Sequence, residues 1–270
     1  MPGWGCAVTE RILVVIPARY GSSRFPGKAL ADLGGRPLVV RTMERALAMA
    51  EAHEVLVATD DPRIRDAVAA AGHACVMTGE HPTGTDRIGE VLGQHPADLV
   101  VNLQGDEPLL DSAVADRLVR ALRDDPGLGL ATCAHPFSDP TEWRDPNAVK
   151  VLVDRHGRAL YFSRAPIPGR FPGAGDEPSS SRLALRHVGI YAWRSEALQR
   201  FLTWPRGDLE RAEGLEQLRA LENGLRIGVV SVDDGPVGVD TPADLDRVRD
   251  LWNQQQSGGD SGDGAPGRNV

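Results

Sequence analysis

The chain has 270 residues, 41% of them hydrophobic and 25% charged, which are ordinary proportions for a globular protein. Its 30 basic and 38 acidic residues give a formal net charge of −8, which excludes a general basic surface for nucleic acid or for an anionic membrane. No run approaches the roughly 18 apolar residues of a membrane span, and the three cysteines lack the CxxC spacing of a zinc site, so we expect a cytoplasmic protein.

Strand-length apolar runs alternate with helix-period segments in the first half of the chain. Strands are expected at residues 12–16, 55–59, 74–77 and 99–103. Helices are expected at 37–50, 62–71, about 86–92 and 112–123, the last of them capped by Asp111. Strands that are apolar throughout and separated by helices indicate a parallel sheet covered on both faces. The sequence therefore predicts an α/β fold with a mostly parallel, doubly wound, Rossmann-like sheet.

From residue 129 onward the predicted strands follow one another with fewer helices between them. Strands are expected at 129–134, 149–153, 159–163, 188–193 and 226–232, and helices at 213–222 and 242–254. These elements either extend the first sheet or form a smaller mixed α/β lobe at its edge. Residues 170–182 and 253–270 are rich in small and polar residues, so both segments are predicted to be mobile.

A basic loop follows the first predicted strand. Residues 17–28 carry Arg19, Arg24 and Lys28 within an acidic protein. The loop is not a P-loop, because five residues separate Gly21 from Gly27, and no GxGxxG dinucleotide motif follows the strand. Ligands of open parallel sheets bind beyond the carboxyl ends of the strands, so this position favours a phosphate-binding loop over a solvated basic loop.

Two acidic segments complete the candidate site. Asp106 and Glu107 follow the strand at 99–103, and Asp240 precedes the last predicted helix. Taken alone, Asp240 favours a turn before a helix and Glu107 a solvated surface charge, while Asp106 leaves both interpretations open. If both aspartates face the basic loop, they form the oxygen-ligand pair that Mg²⁺ uses when it also holds substrate phosphates.

Six runs of residues together resemble the 3-deoxy-manno-octulosonate cytidylyltransferases, the CMP-Kdo synthetases, over about residues 11–252. The runs lie at residues 17–28, 104–108, 162–164, 186–191, 215–219 and 238–242. The first loop alone also fits the broader family of sugar-activating nucleotidyltransferases, which includes CMP-sialate synthetases. The six runs together are much more specific.

The resemblance implies that CTP and Kdo are converted to CMP-Kdo and pyrophosphate for lipopolysaccharide biosynthesis, with Mg²⁺ as cofactor. It implies one nucleotidyltransferase domain over 11–252, with residues 1–10 as an N-terminal extension and 253–270 as a disordered tail. Within that domain, about 11–128 and 226–252 would bind the nucleotide. About 129–225 would bind the sugar acid and form a homodimer.

The resemblance also assigns residues to roles. Arg19, Lys28, Asp106 and Asp240 would be catalytic, the two aspartates as Mg²⁺ ligands. The nucleotide would contact Ala18, Arg19, Ser22, Ser23, Arg24, Lys28, Thr83, Gly84, Thr85 and Arg87. The sugar acid would contact Gln104, Arg164, His187, Tyr191, Glu216 and Gln217.

Several of these residues have plainer interpretations. Thr83 stands where the family more often has serine, and Thr85 could simply cap a helix. His187 could be a hydrogen-bonded structural histidine, Tyr191 a core residue and Glu216 a charge on a solvated helix face.

Two neighbouring aspartates are interpreted structurally, since Asp60 and Asp61 favour a helix-initiating turn. Two other functions remain open. The first is a cytidylyltransferase for 8-amino-Kdo or a sialic acid, and the second is a regulator that binds nucleotide without turnover.

Overall fold

The first half of the chain alternates strands and helices, as its apolar pattern predicts. The computed structural model describes residues 10–22, 24–139, 141–169, 182–235 and 237–258. Its first elements are β1 (Ile12–Pro17), β2 (Asp32–Leu33), β3 (Arg36–Pro37), α1 (Leu38–Ala46), β4 (Glu54–Thr59), α2 (Pro62–Ala70), β5 (Cys75–Met77), α3 (Gly84–Gln94), β6 (Leu99–Asn102) and α4 (Ser112–Asp124). Asp111 caps α4 as predicted, since its carboxylate accepts a hydrogen bond from the N–H of Ala113.

The second half adds more strands than helices. Its elements are β7 (Leu130–Pro136), β8 (Lys150–Val153), β9 (Ala159–Ser163), β10 (Leu185–Arg194), α5 (Ser195–Thr203), α6 (Asp208–Glu213), α7 (Gln217–Glu222), β11 (Ile227–Ser231) and α8 (Pro242–Gly258). The helix predicted at 213–222 is wrong in its bounds, because α6 ends at Glu213 and α7 begins only at Gln217. Gly214, which has a φ of 62°, follows α6 directly.

Two further predictions about the second half need correction or fall outside the structure. Residues 253–258 were expected to begin a disordered tail, but they continue α8. The rest of that tail and residues 170–181 of the other segment predicted to be mobile lie outside the described residues. The same holds for residues 1–9 of the N-terminal extension.

One large sheet organises the described part of the chain. Seven of its strands run in the order β11-β7-β10-β6-β1-β4-β5. All neighbouring pairs are parallel except those of β10, which is antiparallel to both β6 and β7. Strands β8 and β9 form an antiparallel hairpin that joins the beginning of β10. The predicted mostly parallel α/β fold is confirmed, and the later strands extend the first sheet.

Apolar side chains cover both faces of this sheet. In β1, Val14 and Ile16 pack into one buried cluster and Leu13 and Val15 into another, which is why the strand has no polar face. A third, smaller cluster joins α8 to the β2–β3 hairpin and α1 through Leu33, Leu38, Val239, Leu245, Val248 and Trp252. It fixes the beginning of α8 beside the loops that follow β1 and β6.

Those loops define one edge of the sheet. β1, β4 and β6 are parallel neighbours, so their carboxyl ends lie side by side. The basic loop follows β1 at this edge, and Asp106 follows β6. Within the described ranges, no helix has the length and apolar character needed to span a bilayer.

Candidate active site

A lysine joins the two aspartates that were predicted to bind metal. Nζ of Lys28 donates a hydrogen bond to the carboxylate of Asp106 and lies 3.2 Å from Oδ1 of Asp240. It also donates to the carbonyl of Val239 at 3.0 Å. Arg24 approaches the same site, with Nη2 at 3.0 Å from Oδ2 of Asp240. Two carboxylates far apart in the sequence therefore share one ammonium group.

The turn before α8 brings Asp240 to this position. The N–H of Val239 donates to the carbonyl of Asp106 at 2.9 Å, which binds this turn to the loop after β6. The helix-start role predicted for Asp240 is filled by other residues. Thr241 Oγ1 accepts from the N–H of Asp244 at 3.2 Å, and Asp244 Oδ2 accepts from the N–H of Thr241 at 2.9 Å. The carboxylate of Asp240 therefore faces Lys28 and Arg24.

Gly105 allows the loop after β6 to approach the basic loop. A Cβ atom at this position would lie 3.3 Å from the carbonyl oxygen of Pro17, which is tighter than ordinary van der Waals contact. The residue next to it is Asp106, so the missing side chain lets that aspartate lie close to Lys28.

Glu107 is not the solvated surface charge that the sequence favours. Its Oε2 atom is shielded from solvent and has no hydrogen-bond partner among the described residues. Burial raises the pKa of Glu107 to about 8; the charge of Asp106 adds to this effect and Lys28 opposes it. The turn before α8 helps to cover this side chain, since a Cβ on Gly238 would lie 3.9 Å from Cγ of Glu107.

The donor set fits a divalent cation that also binds substrate. The ammonium of Lys28 lies between the two carboxylates, where it takes the place that a metal cation would have. Both carboxylates can therefore face one cation. In the described part of the chain, no cluster of three or more His, Cys, Asp or Glu side chains is arranged for metal binding. A cation here would therefore take its remaining oxygens from substrate and water, as Mg²⁺ commonly does.

A cavity of about 310 Å³ lies beside this cluster. Its lining consists of Pro17, Ala18, Arg19, His81, Pro82, Thr83, Gly84, Arg87 and Gln104. Arg19 and Arg87 also line an adjoining open cleft of about 640 Å³. Volumes in this range suit a small-molecule ligand, and two arginines on the walls favour an anionic one.

The first turn of α3 forms one wall of the cavity. Thr83 is the N-cap, because its Oγ1 accepts a hydrogen bond from the N–H of Asp86, so the prediction of Thr85 as cap is wrong. Thr85 Oγ1 instead donates to Glu216 Oε2 at 2.7 Å, and Thr83 Oγ1 lies 3.1 Å from Oε1 of the same carboxylate. The solvated helix-face interpretation of Glu216 is therefore also wrong, and burial raises the pKa of Glu216.

Arg87 is buried and held by two neighbours. Its Nη2 lies 3.0 Å from Oδ2 of Asp60, and its Nη1 donates to the hydroxyl of Thr78. Asp61 caps α2 as predicted, with its side chain accepting from the N–H of Arg63. Asp60 thus has a role that the sequence missed, since it fixes an arginine on the cavity wall.

Strand β10 supplies an aromatic group next to the loop after β6. The ring centroids of His187 and Tyr191 are 5.6 Å apart, and the ring centroid of Phe162 in β9 lies 5.0 Å from that of His187. Nε2 of His187 lies 3.0 Å from the hydroxyl of Thr132, so this histidine is hydrogen-bonded within the protein. Burial lowers the pKa of His187 to about 3, which keeps the imidazole neutral at physiological pH.

The other residues predicted for the sugar acid lie around β10 and α7. Gln104 Nε2 donates to the carbonyl of Gly189 at 3.1 Å, which ties the loop after β6 to β10. Arg164 lies at the end of β9, where its Nε donates to the carbonyl of Glu213 at 2.7 Å. Gln217 is buried at the start of α7.

Comparison with known proteins decides the family. The family model described as "Cytidylyltransferase" matches residues 13–227 of this chain, which is more than half of its length. The chain belongs to the cytidylyltransferase family. The resemblance noted in the six sequence runs is thereby confirmed.

Individual cytidylyltransferases are similar to this chain over about nine-tenths of its length. A 3-deoxy-manno-octulosonate cytidylyltransferase from Anaeromyxobacter sp. (strain Fw109-5) is 50% identical over 244 residues, covering 90% of this chain and 97% of that relative. One from Escherichia coli is 46% identical over 247 residues, covering 91% and 98%. A solved structure of CMP:2-keto-3-deoxy-manno-octonic acid synthetase complexed with CTP is 45% identical, with a TM-score of 0.85, and the match covers 91% of this chain and 99% of that one.

Most of the residues predicted to bind nucleotide and metal lie in two adjoining places, the charged cluster with its loop and the cavity wall. The charged cluster consists of Arg24, Lys28, Asp106 and Asp240. The loop that contains Ala18, Arg19 and Ser22 leads directly into it. The cavity wall includes Thr83, Gly84, Arg87 and Gln104. Thr85 does not line the cavity, and its hydroxyl donates a hydrogen bond to Glu216. Ser23 lies outside the described residues.

Sequence reasoning missed several residues that hold these groups. They are Asp60, Thr132, Lys150 and Glu213. One of them carried a visible signal, because Lys150 is a single charge within the apolar run 149–153 that was predicted as a strand. Buried lysines require partners, so this position could have been identified from the sequence.

Proposed function

We propose that the protein transfers CMP from CTP to the anomeric hydroxyl of Kdo, giving CMP-Kdo and pyrophosphate for lipopolysaccharide biosynthesis. The observation that carries the proposal is the convergence of Asp106 and Asp240 on Lys28 beside a cavity lined by Arg19. Relatives at 50% and 46% identity carry the name of this activity. A solved relative at 45% identity contains CTP.

In this proposal the nucleotide occupies the cavity and the basic loop. Thr83, Gly84, Thr85 and Arg87 surround the cytosine, whose edge needs both donors and acceptors. The triphosphate lies along the loop that contains Ala18, Arg19, Ser22, Ser23, Arg24 and Lys28. Their positive charges and N–H groups stabilise the charge that develops as pyrophosphate leaves, which is the main contribution of protein groups to phosphoryl transfer.

Asp106 and Asp240 would hold Mg²⁺. When bound, this ion polarises a phosphoryl oxygen and lowers the pKa of a coordinated hydroxyl. Lys28 contacts both carboxylates, so it holds them in place and can contact the phosphates next to them. The chain's own contribution is thus to orient the α-phosphate for attack by the sugar hydroxyl, and no protein nucleophile is required.

The sugar acid would bind between the loop after β6, β10 and α7. Arg164 suits its carboxylate, because guanidinium groups bind carboxylates in a planar, two-bond geometry. Gln104, His187, Tyr191, Glu216 and Gln217 suit its hydroxyls. The neutral state of His187 favours a hydrogen-bonding role over a charge-pairing one.

We further propose that the protein acts in the cytoplasm as a homodimer formed by residues 129–225. The two described cysteines, Cys75 and Cys133, are free thiols, which suits a reducing compartment. Leu160 and Leu183 in this part are 60% and 58% exposed, so they are available to an interface.

The deciding experiment is an assay of pyrophosphate release with CTP, Mg²⁺ and a panel of sugar acids. Kdo should give the highest kcat/KM of a panel that includes 8-amino-Kdo and a sialic acid. Preference for another member would transfer the proposal to that substrate. Binding of CTP by calorimetry without turnover on any member would instead identify a nucleotide-binding regulator.

A further inference from the structure

A fully buried lysine supports the segment that contains Arg164. Lys150 has no exposed surface, and its three N–H groups donate to the carbonyls of Asp145 at 2.8 Å, Ala148 at 2.8 Å and Arg164 at 2.5 Å. A buried ammonium is costly unless it is fully hydrogen-bonded, and this one is. Lys150 therefore fixes the backbone of Arg164 relative to the loop at 145–148.

A carboxylate fixes the same segment from the other side. Glu213 Oε1 accepts from the hydroxyl of Ser163 at 2.6 Å, and its Oε2 accepts from the N–H of Arg164 at 2.8 Å. Glu213 is the last residue of α6, and the turn that follows leads to Glu216 and Gln217. The carboxylate therefore joins the end of β9 to the turn that carries two residues predicted to bind sugar hydroxyls.

The guanidinium of Arg164 is oriented by backbone carbonyls alone. Its Nε donates to the carbonyl of Glu213 at 2.7 Å and its Nη1 to that of Pro146 at 3.0 Å. Among the described residues it forms no ion pair with a carboxylate. An arginine that is held in place while its charge lacks an ion-pair partner is suited to receive an anionic ligand.

We propose that Lys150 and Glu213 are positioning residues that set Arg164 to bind the carboxylate of the sugar acid. The inference rests on the proposed function, because it assumes a sugar acid as substrate. Lys150 acts through the backbone carbonyl of Arg164. Glu213 acts in two ways: its carboxylate accepts from the backbone N–H of Arg164, and its own backbone carbonyl accepts from Nε of Arg164. Neither residue needs to contact the substrate.

The electrostatics of the cluster agree with an anion-binding role. Burial lowers the pKa of Lys150, and the nearby charge of Arg164 lowers it further, whereas Asp145 and Glu213 raise it. Two cations held close together oppose each other in the ligand-free protein. A bound carboxylate reduces that repulsion, so the arrangement gains most when the ligand is an anion.

The test compares two replacements of Glu213 in the full-length enzyme. In Glu213→Ala, both acceptors are lost, and the KM for Kdo should rise about tenfold or more because a small displacement of Arg164 weakens its contact with substrate. The KM for CTP should stay within about twofold of wild type. Glu213→Gln should retain near-wild-type KM values, since an amide can accept from the N–H of Arg164 and donate to Ser163.

A double-mutant cycle tests whether Glu213 acts through Arg164. Glu213→Ala should add little to the loss already caused by Arg164→Ala, because both remove the same interaction. Full additivity, or equal rises in both KM values, would overturn the positioning role. Glu196→Ala, a change at an exposed position in the first turn of α5, is the matched control and should leave the KM for Kdo unchanged.

Failures of the inference and of the proposed function give different results. If the wild-type enzyme forms no CMP-Kdo, the proposed function fails. If it is active and Glu213→Ala leaves the KM for Kdo unchanged, only the inference fails. Should Glu213→Ala not fold, Ser163→Ala removes one of the two anchors of the same carboxylate and should produce a smaller rise confined to the KM for Kdo. An unchanged KM for Kdo in that variant would also overturn the inference.

Discussion

At the scale of single residues, we expect Lys28 and its two aspartates to be the part of the site most sensitive to substitution. We expect Asp106→Asn and Asp240→Asn each to lower kcat by about 10²-fold or more, because each removes a charged oxygen ligand from the site of phosphoryl transfer. The measurement is kcat at saturating CTP, Kdo and Mg²⁺, with circular dichroism to verify folding.

Asp246→Asn provides the matched control for this pair. Asp246 lies in α8 close to Asp240, but its side chain is 73% exposed and pairs only with Arg249 among the described residues. Its kcat should stay at the wild-type value. A folded Asp106→Asn or Asp240→Asn enzyme with wild-type turnover would refute the assignment of these residues to the metal.

Glu107 should make stability depend on pH. Its pKa in the folded protein is about 8, against an ordinary value of 4.5, so the folded state retains a proton that the unfolded state has released. The contribution of this group to stability is therefore present at low pH and declines as pH rises from about 4.5 to about 8.

Glu107→Gln should remove that decline. Between pH 6 and pH 8.5, the free energy of unfolding should fall by about 2 kcal/mol less in this variant than in wild type, measured by urea denaturation in the presence of a chelator. Glu80→Gln, which changes the same charge at an exposed position, should keep the wild-type slope. Equal slopes in all three proteins would show that Glu107 is ionised in the folded state.

The sequence predicted the charged residues of the site better than their local roles. The basic loop and Asp106 were expected at one edge of the sheet because both follow parallel strands, and the resemblance added Asp240 as the second metal ligand. The burial of Glu107 could not be predicted, since it depends on the turn before α8, which arrives from the other end of the chain. The sequence also did not reveal that Thr83, and not Thr85, caps α3. The hydroxyl of Thr85 is bound to Glu216, which lies 131 positions away in the sequence.

At the scale of elements, Trp252 attaches α8 to the rest of the protein. Its ring packs with Leu33 and Leu38, and Cζ of Arg41 lies 4.5 Å from the ring centroid. We expect Trp252→Ala to lower the free energy of unfolding by about 3 kcal/mol, because it leaves a cavity and removes a cation–π contact. Urea denaturation monitored by circular dichroism measures this change.

Gln254→Ala supplies the comparison for that measurement. Gln254 is exposed on the same helix, so its replacement should change stability by no more than about 0.5 kcal/mol. If both variants have the same stability, α8 is not held by the cluster around Trp252.

The bounds of helices and strands were predictable where the local sequence pattern determines them. They were less predictable where pairing with a strand distant in the sequence determines them. β9 has the predicted bounds, Ala159–Ser163. β10 is longer than predicted, because its first residues pair with β8, which the local pattern does not reveal. Helix α5 was missed although Ala197, Leu198 and Phe201 have helical spacing, and Gly214 was a visible signal for the break between α6 and α7.

At the scale of the whole molecule, the proposed homodimer can be tested through its exposed leucines. Replacing Leu160 and Leu183 together by arginine should convert the dimer to a monomer at micromolar concentration, because charge at an apolar interface is not solvated. Light scattering after size-exclusion chromatography measures the mass. Leu47→Arg, at a position 49% exposed beyond the proposed interface, should remain dimeric.

Strand β10 also restricts how this molecule can move. Its hydrogen bonds connect it to β6 on one side and to β7 on the other, and β7 pairs in turn with β11. Backbone hydrogen bonds thus join the two halves of the protein along these strands, with one shift in register between Val188 and Tyr191. A hinge that opened between the halves would have to break those hydrogen bonds. Adaptation to ligands falls instead to the loops at the edge of the sheet. Amide exchange should be slowest at residues 191–193 of β10, which pair with both β6 and β7, and fastest in the turns around the strand.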